Sequence, residues 1–236
     1  MVNEFQSAHY SGYIPMQHVE NPSRFGIAKF DGDKLKGLIE KPSEPPSDLA
    51  YMGAVVFTPK VFGIIEQITP SDRGELELTD AIDLLVKNET IQWESYDGAW
   101  IDVGTPEDLV HANAHMLAQS EEEIEGEIHG TLKADGPVQI GIGSVVEKGA
   151  TVVGPVSIGE DVVITEGATV GPLTSVGDGS TLAVATVENS VLLENVTIRT
   201  EERIEESILG NNSRVEASTS KERSSVILGD NSSATF

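Results

Sequence analysis

The 236-residue chain contains no cysteine, which excludes disulfides, thiolate metal sites and cysteine nucleophiles. Positive charge is scarce: 15 Lys and Arg face 39 Asp and Glu, a formal net charge of −24. Such a field repels phosphate backbones and anionic headgroups, so nucleic-acid binding and membrane attachment through basic patches are excluded. The acids are spread over both halves rather than gathered in a tail, as on surfaces adapted to concentrated salt, and a halophilic setting is expected. No apolar run approaches the roughly 18 residues of a membrane span, and the first ten residues lack the basic and apolar regions of a secretion signal. The expectation is a cytoplasmic protein. Aromatic residues are few, at 5%, which points to an interior filled by small aliphatics.

What is present is a repeat. From residue 140, aliphatic side chains recur at every sixth position: Ile140, Val146, Val152, Ile158, Ile164, Val170, Val176 and Leu182. A second series four places later, Ser144, Ala150, Val156, Val162, Ala168, Thr174, Ser180 and Thr186, is small or β-branched throughout. Neither a helical nor a simple strand period gives both. The pattern resembles the hexapeptide repeat of left-handed parallel β-helices, in which three hexads make one triangular coil; the handedness comes from the resemblance. A single coil buries three aliphatics worth about 1.5–3 kcal/mol each, against about 1–2 kcal/mol of backbone entropy per ordered residue. Coils must therefore stack to persist. The phase breaks at Glu188 and returns at Leu209-Gly210-Asn211-Asn212-Ser213, so residues 187–208 are expected to be a distorted coil or loop and 209–236 further coils. β-Helices of this kind include acyltransferases with a histidine base on a coil. No histidine lies beyond His129, which removes the base from the repeats and leaves acyl transfer a minor alternative.

Residues 1–119 read as α/β. Ser23–Phe30 and Lys34–Ile39 are strand-like around an Asp31-Gly32-Asp33 hairpin turn, and Met52–Phe57 is an apolar strand. Pro59–Ile68 and Thr79–Lys87 read as helices, the second burying Ala81, Ile82, Leu84 and Leu85. Thr105-Pro106-Glu107-Asp108 caps a helix running to Ala118. His111 and His115 lie one helical turn apart, but no glutamate stands between them and no third ligand is evident, so a zinc site is not expected.

Four strings in order carry a resemblance: Val19-Glu20-Asn21-Pro22-Ser23-Arg24-Phe25-Gly26, Ile39-Glu40-Lys41-Pro42, Pro70-Ser71-Asp72-Arg73-Gly74-Glu75-Leu76-Glu77-Leu78-Thr79-Asp80, and Trp100-Ile101-Asp102-Val103-Gly104-Thr105. Together with the hexads they resemble the sugar-1-phosphate nucleotidylyltransferases, above all the glucose-1-phosphate thymidylyltransferases that carry a C-terminal β-helix. The resemblance implies a Rossmann-like partial nucleotidyltransferase domain over 1–119 followed by a left-handed parallel β-helix over 120–236. It implies transfer of a nucleotidyl group from dTTP or UTP to glucose 1-phosphate, with release of pyrophosphate. Lys41 and Arg73 would contact the sugar phosphate and act in catalysis, Glu40 would accept hydrogen bonds from sugar hydroxyls, Gly26 would let the backbone approach the sugar, and Asp102 would be one of two carboxylates holding Mg²⁺.

The sequence also departs from the family. The Gly-rich loop of the type Gly-Gly-x-Gly-Thr-Arg-x-x-Pro and the second metal-binding Asp have no counterpart, Val55 stands where an aromatic is usual, and Val103 replaces a Thr. The expectation is therefore a chain that lacks the nucleotide-binding half and does not turn over alone. Its exposed edges would be covered in a homo-oligomer or by an intact paralogue. The alternative is a non-catalytic binding or scaffolding remnant that assembles through its β-helix.

Overall fold

The computed structural model describes residues 5, 10–133, 135–216 and 223–235. Its contacts divide the chain into two compact units, Met1–Trp100 and Ile101–Phe236. Among the described residues no helix is long and apolar enough to cross a membrane.

The first unit is a six-stranded sheet built around β1 (Gly12–His18). On one edge β1 pairs antiparallel with β4 (Leu49–Tyr51) and β5 (Val56–Phe57); on the other it pairs parallel with β6 (Ile91–Ser95). The hairpin of β2 (Gly26–Asp31) and β3 (Lys34–Glu40) joins through β4. The expected hairpin is present; the expected strand Met52–Phe57 is not continuous. Residues 52–55 are irregular, with Gly53 at φ +79°, so that two short strands meet β1 at separate places. Pro15 lies between the two stretches of β1 that pair with β4 and β5, where a missing N–H interrupts no ladder.

Helix α1 spans Lys60–Ile65 and α2 spans Leu78–Asn88. The latter buries Ala81, Ile82 and Leu85, with Ile82 packed against Ile14, Met16, Ala28, Leu35 and Leu38, while Leu84 is half-buried. Asp83 on α2 pairs with Lys29 of β2 at 2.6 Å and Lys87 at 2.5 Å. This cluster ties the helix to the hairpin.

The second unit opens with α3 (Pro106–Leu117), whose Thr105 cap and Asp108 form a reciprocal capping box. The boundary read from sequence at residue 119 and the packing boundary at residue 100 differ by this helix. Asn113 fastens it to the coils, its Nδ2 donating to the Leu173 carbonyl at 3.3 Å and its Oδ1 accepting from the Ser175 hydroxyl at 2.5 Å.

From Glu123 onward the chain winds into about six coils with three parallel faces, consistent with the left-handed β-helix expected. Among the described residues these run from Glu123–Ile124 to Ile227–Leu228, from Glu127–Ile128 to Ser233–Thr235, and from Thr131–Lys133 to Arg223–Ser224. All eight aliphatics of the sixfold series are at most 3% exposed.

Residues 187–208 correct the sequence reading: they are a regular coil, paired in parallel above and below. The inward series continues through Val187, Leu192, Ile198, Ile204, Leu209 and Val215, all at most 2% exposed. The steps Leu182 to Val187, Val187 to Leu192 and Ile204 to Leu209 are five residues instead of six because three corners are one residue shorter. Ala185 thereby takes the inner corner place, fully buried, and Thr186 turns outward.

Two devices hold the corners. Buried hydroxyls bridge successive coils: Ser144 Oγ donates to the Gly159 carbonyl and accepts from the Val162 N–H, and Ser180 does the same with Leu193 and Val196. At the same corner, one residue earlier, Gly143, Asp161, Gly179, Asn195, Asn212 and Asn231 stack with φ between +53° and +76°. Glycine, Asn and Asp tolerate this left-handed conformation best. The N–H of each from Asp161 onward donates to a carbonyl of the coil before it.

Candidate functional site

Strand pairing brings the first candidates together. Gly26 opens β2 opposite Glu40, the last residue of β3. Lys41 follows with φ +39°, its N–H bonded to the Phe25 carbonyl at 3.0 Å. Arg73 arrives from the turn that precedes α2. Ser71 shapes that turn: its hydroxyl donates to Glu77 Oε1 at 2.9 Å and accepts from the Arg73 N–H at 3.2 Å.

Glu40 divides this cluster in two. Its Oε1 faces the cations, 3.9 Å from Lys41 Nζ and 3.7 Å from Arg73 Nη1. Its Oε2 faces the sheet and accepts from the Thr79 hydroxyl at 3.3 Å. Arg73 is gripped at its other nitrogen, Nη2, by Glu75 at 2.9 Å, while Nη1 lies 3.6 Å from Glu77. Arg73 Nη1 and Lys41 Nζ thus sit beyond hydrogen-bond range of these carboxylates and keep donors available. Both side chains are roughly half exposed, whereas Glu40 and Glu77 are mostly buried.

On the Oε2 side Gly26 is buried and closely packed. A Cβ there would stand 2.6 Å from Thr79 Cγ2, 3.1 Å from Glu40 Oε2 and 3.6 Å from Tyr51 Cδ1. Glycine is thus required for packing, since no side chain fits between the hairpin and the start of α2. Burial, and then the charge of Glu40, push the Tyr51 phenol above its ordinary pKa. Glu77, Thr79 and Tyr51 were not singled out by sequence reasoning. The first two lie inside a string that carries the resemblance; nothing in the sequence marks Tyr51.

Asp102 lies in the second unit, in the irregular segment before the Thr105 cap. It is exposed and has no hydrogen-bond or ion-pair partner among the described residues. Those residues contain no group of three or more potential metal ligands. One free carboxylate suits Mg²⁺, which is held through one or two carboxylates plus substrate phosphates, but does not make a resident site.

Other features fall outside this cluster. A cavity of about 820 Å³ lies at the C-terminal end of α2, whereas Thr79 stands at its N-terminal end; Lys34, Lys87, Asp31, Asp33 and Glu89 are among its lining. Val55 packs against the core. His111 lines a groove of about 410 Å³ beside α3, and His115 contacts Gln119. His129 is exposed on the first coil beside Glu127.

Residues 1–119 match the nucleotidyl transferase family, and residues 152–234 match the GMPPB C-terminal domain. The low-salt glycan biosynthesis nucleotidyltransferase Agl11 of Haloferax volcanii is 41% identical over 98% of this chain and 66% of its own length. A glucose-1-phosphate thymidylyltransferase of Streptomyces antibioticus is 37% identical over 93% of this chain and 62% of its own. The bifunctional protein GlmU of Methanococcus aeolicus is 39% identical over 57% of this chain and 33% of its own. The chain thus spans at most about two thirds of the length of these relatives.

Proposed function

Because the chain belongs to the nucleotidyl transferase family, we propose that its first unit holds the sugar 1-phosphate in the transfer of a nucleotidyl group from dTTP or UTP to glucose 1-phosphate. One observation carries this reading: two half-exposed cations converge on Glu40 at distances too long for hydrogen bonds. An arriving phosphate meets donors that need not be torn from tight ion pairs. Arg73 offers a planar fork oriented by Glu75, and Lys41 a mobile point charge. Glu40 Oε2 accepts from ring hydroxyls and so fixes the sugar relative to its phosphate. Catalysis in such a transfer is mainly positioning and charge neutralisation. Mg²⁺, when bound, supplies further neutralisation of the phosphates, and Asp102 is the residue of this chain that would offer it a carboxylate.

The test is calorimetric titration of the chain with glucose 1-phosphate and, separately, glucose. Lys41→Ala and Arg73→Ala should each weaken glucose 1-phosphate binding by about tenfold or more, the scale of one charged hydrogen bond, and leave any glucose binding unchanged. Equal affinities for parent and both variants would remove the assignment. The resemblance to thymidylyltransferases supports dTTP as the nucleotide to try first. The Haloferax relative supports glycan assembly as the setting, with a soluble, cytoplasmic, salt-adapted protein as the corresponding form.

A further inference from the structure

We propose that Ser71 is a positioning residue of this site, its hydroxyl holding Arg73 in the place where it meets the phosphate of the sugar 1-phosphate. The inference rests on the sugar-phosphate reading above and assigns a residue that acts through Arg73 rather than on the ligand.

Three observations carry it. The first is the character of the turn. Residues 72–76 are exposed throughout, Leu76 included, so apolar packing does not give this stretch its shape. Hydrogen bonds do, and they converge on Ser71. Its N–H donates to the Glu75 carbonyl at 2.9 Å, and its carbonyl accepts from the Gly74 N–H at 2.8 Å, with Gly74 at φ +77° permitting the reversal. The hydroxyl adds one bond in each direction, accepting from the Arg73 N–H at 3.2 Å and donating to Glu77 Oε1 at 2.9 Å.

The second is what stands at the far end of that hydroxyl. Glu77 is buried and occupies the N-cap place of α2, yet its side chain makes no capping hydrogen bond to the helix. A side-chain oxygen at that place ordinarily satisfies a helix N–H. This carboxylate takes the Ser71 proton instead. Since α2 is seated in the core through Ile82, Ser71 ties the backbone of Arg73 to a fixed frame.

The third is that the contacts of the guanidinium cannot supply the same anchorage. Arg73 Nη2 is bonded to Glu75, an exposed residue of the same turn that moves with it. Its distances to Glu40 and Glu77, 3.7 and 3.6 Å, are too long for hydrogen bonds. A planar fork recognises phosphate by direction as well as charge, so a turn free to shift loses affinity although the cation is still present.

The experiment is calorimetric titration with glucose 1-phosphate of the parent chain, Ser71→Ala, Arg73→Ala and the variant carrying both changes. Ser71→Thr and Ser71→Val are added as a pair of equal shape that differs in the hydroxyl, and near-ultraviolet circular dichroism checks the fold of each. We expect Ser71→Ala and Ser71→Val to bind about three- to tenfold more weakly, the scale of one net hydrogen bond, and Ser71→Thr to bind as the parent does. In the Arg73→Ala background, Ser71→Ala should change affinity by less than about twofold, because the residue it positions is gone. An equal loss with and without Arg73 would show a general structural role and overturn the proposal. So would equal affinities for Ser71→Thr and Ser71→Val. Unchanged affinity in Ser71→Ala while Arg73→Ala still weakens binding would overturn it too, leaving the site reading in place. Failure of the parent to bind glucose 1-phosphate would overturn both.

Discussion

The two units solve the problem of burying a core in opposite ways. In the coils the inward aliphatics stack on one another from coil to coil, and the same two positions, one aliphatic and one small, are used again and again. In the sheet unit no position repeats. Ile14, Met16, Leu38 and Ile82 come from three different elements and meet only because the strand order interleaves distant segments. Periodicity makes a structure legible and tolerant; interleaving makes a place where unlike side chains converge. The Glu40 cluster lies in the interleaved unit for that reason.

The largest effect expected from testing this contrast is in the coil interior. Ile164→Ala removes a fully buried side chain stacked between Val146 and Leu182 and should cost about 2–5 kcal/mol by urea denaturation. A loss below about 1 kcal/mol would mean that the coils relax around a cavity and that their repetition does not make them tightly packed.

A smaller effect is expected from pH in the sheet unit. Burial raises the Asp83 pKa, but hydrogen bonds and charge from Lys29 and Lys87 outweigh it, leaving the carboxyl below its ordinary value of 3.8. A folded-state pKa below the unfolded one contributes stability that is complete above the unfolded pKa and lost as pH falls through the folded one. Below about pH 4 the sheet unit should therefore weaken, and Asp83→Asn should flatten that part of the pH profile. An unchanged profile in the variant would assign the acid sensitivity to other carboxylates.

The smallest effect should come from lengthening a corner. Val184, exposed at φ +59°, sits in one of the five-residue steps. Inserting one glycine beside it restores the sixfold spacing and should change stability by under about 1 kcal/mol. The same insertion between Val163 and Ile164, inside a strand of a six-residue step, shifts the register and should unfold the coil. Equal damage at both places would break the distinction between corner and strand.

The same contrast explains what could be read from sequence. Eight positions in unbroken sixfold register identified the coils, yet the loss of one residue at each of two corners directly after Leu182, and at a third after Ile204, mimicked the end of the pattern. Corner length is set by backbone geometry that side-chain polarity does not reveal; Ala185 in place of Thr186 was the only hint. In the sheet unit, the central strand β1 lies outside every stretch read as a strand from the sequence, and Pro15 interrupts its apolar pattern. Glu40, Lys41 and Arg73 were legible because contiguous strings carry them. Tyr51 and Thr79 reach the same spot through the pairing of β1 with β4 and the start of α2, neither of which spacing alone discloses.

The left-handed corner has one more property. Beside it Glu160, Asp178, Glu194 and Asp230 are exposed, one per coil except where Asn211 intervenes. Strands in a ladder stand about 4.8 Å apart. The distance at which two unit charges in water interact by thermal energy is about 7 Å. Neighbouring carboxylates on this edge therefore stand closer than that length. Folding assembles them and unfolding disperses them, so their repulsion opposes the folded state and dissolved salt, by screening it, favours the coils.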